Sequence, residues 1–209
     1  MLVLALDTAT PTLVVGVARW RAGTAVEVLA ERAVASGNRH AELLTPAVRE
    51  ALAAAGAGLG DLDAVVTGLG PGPYTGLRVG VVTAAALGDA RGLPVLGVCS
   101  LDAVGAGERT VVTDARRKEV YWAGYAADGA RTAGPSVDRP EDVHPAGAVV
   151  GDVRFADRLG APVAAAEVTT AGLLRAAAPL LGFPPAPLEP LYLRRPDAVP
   201  SATRKTVSQ

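Results

Sequence analysis

Gly68-Leu69-Gly70-Pro71-Gly72-Pro73-Tyr74-Thr75-Gly76-Leu77-Arg78-Val79-Gly80, GLGPGPYTGLRVG, is the stretch from which the fold can be read. It follows an apolar, strand-like run from Ala64 to Thr67 and leads straight into a helix-like segment ending near Gly92. The unit is therefore strand, glycine-proline turn, helix. Gly70 and Gly72 each precede a proline, which pushes them toward extended conformations and keeps the turn from closing into helix before Tyr74. Thr75 is then the expected N-cap, with the amides of Gly76 to Arg78 left free. Such a turn can hold an anion or a carboxylate, or it can simply be a tight connection.

Two phosphate-binding motifs are excluded. A P-loop needs GK[ST] after its glycines, and no lysine precedes Lys118. A dinucleotide fingerprint belongs on the first strand of its unit, whereas these glycines follow a later one. The helix after the turn carries Gly76, Gly80, Ala84 and Gly88 four residues apart, a stripe of small side chains that lets another backbone come close. Glycine inside a helix costs about 1 kcal/mol relative to alanine, so close packing should offset it. Either the chain's own sheet or a helix of another subunit would serve.

Upstream, Leu2 to Leu6 reads as a central buried strand ending at Asp7, with a turn at Thr8-Ala9-Thr10-Pro11. Leu13 to Ala18 returns as a strand, and Val26 to Val34 is a third. Asn38 is a candidate N-cap for a helix with apolar positions at Leu43, Leu44, Ala47, Val48, Ala51 and Leu52, in which Pro46 should cause a kink or a restart. Downstream, Pro94 to Val98 is a strand, and after Ser100 the pattern begins again. Thr110 to Thr113 ends in Asp114, and Glu119 to Ala126 returns, so that LALDTATPTLVVGVA and VVTDARRKEVYWAGYA read as a weak internal repeat. Ala148 to Val153 is a further strand and Thr170 to Leu181 a helix. The segment 183 to 200 is rich in proline and should run extended over the surface, anchored by Leu191, Tyr192 and Leu193.

The bulk numbers bound the function. With 209 residues, half of them hydrophobic, one large domain or two lobes can bury a full core. A net charge of -1 without a long basic run gives weak attraction for nucleic acid, so RNA should belong to a partner. The single cysteine, Cys99, rules out an internal disulfide and fits a reducing cytoplasm. The N-terminus lacks the positive charge of a secretory signal, and no apolar run approaches the roughly 18 residues of a membrane span.

Asp7 stands where α/β proteins place ligands, and in two-lobed kinase-like folds an aspartate here orients metal-bound phosphates. Ala9, in place of a close-following glycine, would crowd a phosphate. His40 has Leu43 and Leu44 where a second helical metal ligand would stand, and His144 lies in a proline-flanked loop. No metal site is expected, and His40 should make a structural or interface hydrogen bond. Arg116, Arg117 and Lys118 read as a solvated turn.

Taken together, LALDTAT, RHAELLTP, GPGPYTGLRVG, DARRKEVYWA and the late EPLYLR resemble the TsaB (YeaZ) family of bacterial tRNA threonylcarbamoyladenosine biosynthesis proteins, in order and over nearly the whole chain. The resemblance implies an α/β, two-lobed actin/Hsp70-like fold (ASKHA, ribonuclease H-like), each lobe a mixed sheet with flanking helices. The lobes would be 1–100 and 101–209, with the proline-rich tail packing back on the first. It implies a pseudoenzyme that binds the catalytic subunit TsaD and, with the ATPase TsaE, supports transfer of a threonylcarbamoyl group to the adenosine beside the anticodon. It places the partner or dimer face on His40, Leu43, Leu44, Ala47, Gly76, Arg78, Gly80 and Ala84. No cofactor is expected to bind firmly. Asp7, Thr8 and Gly72 are vestigial candidates, any nucleotide would sit at the joint with TsaD, and tRNA would be met through the complex. The alternatives are a self-sufficient ATP-dependent enzyme or metallopeptidase of the same fold, and a homodimeric regulatory protein.

Overall fold

A computed structural model describes residues 1–21 and 25–194. The first sheet is built from β1 (Leu2–Asp7), β2 (Thr12–Arg19), β3 (Glu27–Ala35), β4 (Ala64–Gly68) and β5 (Val95–Val98), in the order β3-β2-β1-β4-β5. Strand β1 runs antiparallel to β2, with Asp7 opposite Val14, and parallel to β4, with Leu6 opposite Thr67. Two long helices connect these strands, α1 (His40–Ala54) before β4 and α2 (Tyr74–Arg91) before β5.

The second sheet repeats the plan with β6 (Arg109–Asp114), β7 (Val120–Tyr125), β8 (Arg131–Asp138), β9 (Ala148–Gly151) and β10 (Val163–Ala165). Its order read from the far edge, β8-β7-β6-β9-β10, matches the first sheet strand for strand. Here β6 is antiparallel to β7 and parallel to β9. The internal repeat read from the two aspartate-ended strands is thus a repeat of topology. Two lobes of one plan make the actin/Hsp70-like arrangement that the resemblance implied. The short α3 (Ala156–Leu159) lies between β9 and β10, and α4 (Thr170–Ala177) closes the second half.

The apolar run of β1 is continuous because both faces of the first sheet are covered. Leu4 and Leu6 pack with Leu44, Ala47, Val48 and Ala51 of α1. Val3 and Ala5 face the other way, into a core shared with Val111, Tyr121 and Ala123 of the second sheet and Leu173, Leu174 and Ala177 of α4. The last helix therefore lies against the first sheet, and the sequence boundary near residue 100 is not the boundary of the packing. Gly16 admits α4, since a Cβ there would overlap the Thr170 side chain.

Several expectations change. Helix α1 starts at His40 with Arg39 at its N-cap rather than Asn38, and α2 starts at Tyr74 behind Pro73 rather than being capped by Thr75. Helix α1 continues through Pro46 without restarting. Pro46 and Glu42, whose carbonyl loses its amide partner, are both exposed, so water can serve that carbonyl. The last helix is α-helical to Ala177 and then 3-10 from Ala178 to Leu180. Strands β8 and β10 and helix α3 had no sequence signal. The tail expectation beyond residue 194 falls outside the described residues.

Candidate functional site

The cleft lies where the C-terminal ends of β1 and β6 approach each other. One cavity of about 330 Å³ is lined by Thr10, Pro11 and Thr12 from the first lobe and by Asp114, Asp152 and Arg154 from the second. A second, of about 350 Å³, shares Thr10, Pro11 and Asp114 and adds His40, Gly76 and Arg116.

The chain brings Asp7, Thr8 and Gly72 together at the head of this cleft, but it turns them toward one another. Asp7 is fully buried. Its carboxylate accepts the amide of Ala9 at 2.8 Å and the hydroxyl of Ser100, whose oxygen in turn accepts the amide of Gly70 at 3.1 Å. Burial raises the Asp7 pKa; the hydrogen bonds from Ser100 and Ala9 and the nearby His40 pull against that rise. Gly68 must be glycine because a Cβ would overlap the Asp7 carboxylate. Thr8 donates from Oγ1 to the Gly76 carbonyl at 2.7 Å. Gly72 lies on the β1–β2 turn so closely that an added Cβ would stand 2.9 Å from Ala9 Cα. A phosphate seated on this turn would need the room that Gly72 and Ala9 fill. Ser100 completes the network from 93 residues away, and nothing in the sequence pairs it with Asp7.

His40 is buried and donates from Nε2 to the Thr10 carbonyl at 2.8 Å, the structural bond among the two expected for it. The small-residue stripe packs on the chain's own first lobe, one of the two settings that its spacing allowed. Added Cβ atoms would stand 2.8 Å from the Thr8 carbonyl at Gly76, against the Thr8 hydroxyl at Gly80 and against Val95 at Gly88, and Ala84 is fully buried in the first-lobe core. Leu44 and Ala47 are buried in the same core. Of the residues expected at an interface, Arg78 is exposed and Leu43 half-buried, while His40, Leu44, Ala47, Gly76, Gly80 and Ala84 point inward. The reason is one of helix phase: every fourth residue from Gly76 faces the sheet, so the surface belongs to the residues between.

Those residues form an exposed ridge on α2. Tyr74 is 41% exposed and Val82 63%, with Arg78 between them. The Arg78 guanidinium lies 4.0 Å over the Tyr74 ring and its Nε donates to the Tyr192 hydroxyl at 3.3 Å. The Tyr74 and Tyr192 rings are 4.9 Å apart. The tail is held there by its backbone, Leu191 N donating to the Leu69 carbonyl at 2.8 Å. It is also held across the cleft, where Arg194 donates to the Ala115 carbonyl at 2.7 Å and pairs with Glu119 at 2.8 Å. Sequence reading named Tyr192 and Leu191 as anchors but not the ridge they adjoin.

In the second lobe, Asp114 is half-buried. It accepts the Arg116 amide at 2.7 Å and pairs with Arg154 at 3.2 Å. Arg116, Arg117 and Lys118 are exposed, all three at positive φ. Among the described residues no three histidine, cysteine, aspartate or glutamate side chains gather as a metal site requires. Cys99 is buried, and burial raises its thiol to about 12, so it stays protonated. No helix of the described residues is long and apolar enough to cross a membrane.

The model of the family described as "TsaD: tRNA N6-adenosine threonylcarbamoyltransferase" matches residues 29–186. An uncharacterized protein of Mycobacterium tuberculosis is 52% identical over 206 residues, covering 96% of this chain and 95% of that protein. The tRNA threonylcarbamoyladenosine biosynthesis protein TsaB of Escherichia coli is 36% identical over 160 residues, covering 69% of this chain and 65% of that protein. Among solved structures, YeaZ from Pseudomonas aeruginosa superposes with a TM-score of 0.74 at 28% identity, covering 92% of this chain and 99% of that one.

Proposed function

This chain belongs to the family described as TsaD, tRNA N6-adenosine threonylcarbamoyltransferase, as one of its TsaB (YeaZ) members, and from that premise we propose a non-catalytic subunit that binds and activates a TsaD protein in tRNA threonylcarbamoyladenosine synthesis. One observation carries this reading. The carboxylate at the end of β1 is hydrogen-bonded to Ala9 and Ser100, and the glycine-proline turn lies directly against Ala9 beside it. A scaffold whose first-lobe strand end is covered by its own backbone contributes surface rather than turnover. The ridge of Tyr74, Arg78 and Val82 is the surface we assign to TsaD, because tyrosine and arginine are the residues enriched at interfaces and Val82 beside them is an exposed apolar side chain. Any nucleotide would be held at that joint, TsaE would act through the assembled pair, and tRNA would be met by the complex. The reading places the chain in the cytoplasm, beside the tRNA that the complex would modify.

The ridge gives a homodimer the same face when TsaD is absent, so self-association and TsaD binding should compete. The test is reconstitution. Purified chain, cognate TsaD and TsaE are combined with each protein omitted in turn, and complex formation and modified tRNA are measured. Modification that needs this chain, together with no turnover by the chain alone, is the expected result. Turnover of ATP by the isolated chain would instead support a self-sufficient enzyme.

A further inference from the structure

At the end of the second sheet remote from the cleft, where β6 begins and β7 ends, Arg109, Arg131 and Arg175 line one cavity of about 510 Å³. Arg109 is only 3% exposed. Its guanidinium lies 4.0 Å over the Tyr125 ring, and it donates to the main-chain carbonyls of Val104 at 2.6 Å and Gly107 at 2.8 Å, with a long third bond to the Asp102 carbonyl at 3.4 Å. All of these partners are neutral. Among the described residues no carboxylate forms an ion pair with Arg109. Arg175 likewise donates to a main-chain carbonyl, Gly105, at 2.5 Å, which uses one of its five N–H groups.

The carboxylates of the lining do not make up the difference. Asp102 is taken by Arg131, at 2.6 Å to each oxygen, and by the Tyr125 hydroxyl at 2.7 Å. Asp128 sits on the exposed β7–β8 turn, where its Oδ1 accepts the Ala130 amide at 2.9 Å. Burial lowers the Arg109 pKa and the charge of Arg175 lowers it further, against the pull of Tyr125 and Asp102. Arg109 is buried while Arg175 is exposed on the same cavity. A buried cation with a second guanidinium in its cavity is costly unless an anion joins it, for which guanidinium pairs match the oxygens of phosphate.

We infer that this cavity is a binding site for a phosphate-type oxyanion, held between the guanidiniums of Arg109 and Arg175 beside the Tyr125 ring. The site lies away from the cleft and from the α2 ridge and does not depend on the TsaD reading. A free phosphate compound or a phosphodiester of RNA could carry the group.

The test uses the full chain. Thermal unfolding is followed against sodium phosphate and against sodium chloride at matched ionic strength. Wild type should show a saturable rise in Tm with phosphate beyond that with chloride. Arg175→Gln should weaken the midpoint about tenfold or more. Arg175→Glu, which supplies the missing carboxylate beside Arg109, should hold or raise Tm in chloride and abolish the phosphate response. The inference is overturned if phosphate does no more than chloride in wild type, or if Arg175→Glu responds to phosphate as wild type does. Phosphorus NMR with a short single-stranded RNA then picks the carrier: displaced phosphate assigns the site to RNA, and undisturbed phosphate assigns it to a small molecule.

Discussion

The two lobes place an aspartate at the same point of the same topology, and the chain treats the two oppositely. Asp7 ends β1, is fully buried, and is hydrogen-bonded to Ala9 and Ser100. Asp114 ends β6, borders the cleft, and shares its carboxylate with Arg154 and the Arg116 amide. The difference comes from the segment that each lobe lays over its strand end. In the first lobe the glycine-proline turn folds back over the strand end, and glycines at 68 and 72 let it lie directly on Asp7 and Ala9. In the second lobe β9 ends at Gly151 without such a turn, and Arg154 comes up from the 3-10 segment Val153–Phe155 instead. One lobe has its strand end sealed and its surface covered by two long helices. The other keeps an open, charged rim. Topology alone therefore says little about which end of a repeated fold can hold a ligand.

The largest effect that would test this contrast is at Gly68. Gly68→Ala drives a methyl group into the Asp7 carboxylate, which Ser100 holds in place, and should cost about 3 kcal/mol or more in urea unfolding. Combining it with Asp7→Ala should recover part of the loss, because the colliding atoms are gone. If the two losses simply add, the sealed strand end is not a single tight unit.

Next in size is the division of surfaces. Val82→Glu puts a charge on the α2 ridge and should weaken association with TsaD at least about tenfold, or about 1.4 kcal/mol. Val153, an exposed valine of the second lobe at 50%, should tolerate Val153→Glu without change in that association. Equal loss at both positions would spread the interface over both lobes and remove the special standing of α2.

A titration sharpens the contrast further. The Asp7 pKa is raised in the folded chain by burial, so below its ordinary value of 3.8 both states hold the proton and the group contributes nothing to the pH dependence. As pH rises above 3.8 the unfolded chain ionises first, and stability falls until the raised folded value is passed. Asp7→Asn keeps an acceptor for the Ala9 amide and turns an NH2 toward Ser100, whose oxygen must then accept where its hydroxyl had donated. That costs a constant amount, but the pH-dependent loss is removed, so stability relative to wild type should climb over that range and then level off. A flat difference from pH 4 to neutrality would mean that Asp7 is not destabilised by its burial.

How much of this was legible depended on whether the signal was local. The strands β1, β2, β4, β6, β7 and β9 announced themselves as apolar runs because both faces, or nearly so, are covered. The edge strand β8, RTAGPSVD, has no fully buried residue and is interrupted by Gly134 and Pro135, and β10 has three residues, so neither presents a pattern. Asp7 was visible as a strand-end carboxylate, but its partner Ser100 is distant in the chain and could not be matched to it. The glycine stripe was read as a surface of close approach, with the chain's own sheet and another subunit both left open, and in the structure it meets the chain's own first lobe. Spacing gives the phase of a helix face but not what it meets, and here the Thr8 backbone supplies the close neighbour. Arg109 gave no sign at all, since a lone arginine before a strand reads as a solvated charge.

The smallest effect is expected at Asp114, and its smallness is the point. Its ion pair with Arg154 spans 3.2 Å, with the Arg154 side chain 65% exposed, and Arg154 also has Asp152 at 2.5 Å. Removing one of two carboxylates from a solvated guanidinium leaves the cation served, so Asp114→Asn should cost under about 1 kcal/mol and less still at high salt. The amide of Arg116 keeps an acceptor in the asparagine oxygen, which holds the turn. A loss approaching that of Gly68→Ala, and insensitive to salt, would mean that the second lobe's strand end is as firmly built as the first. The contrast between a sealed lobe and an open one would then be a difference of appearance without energetic content.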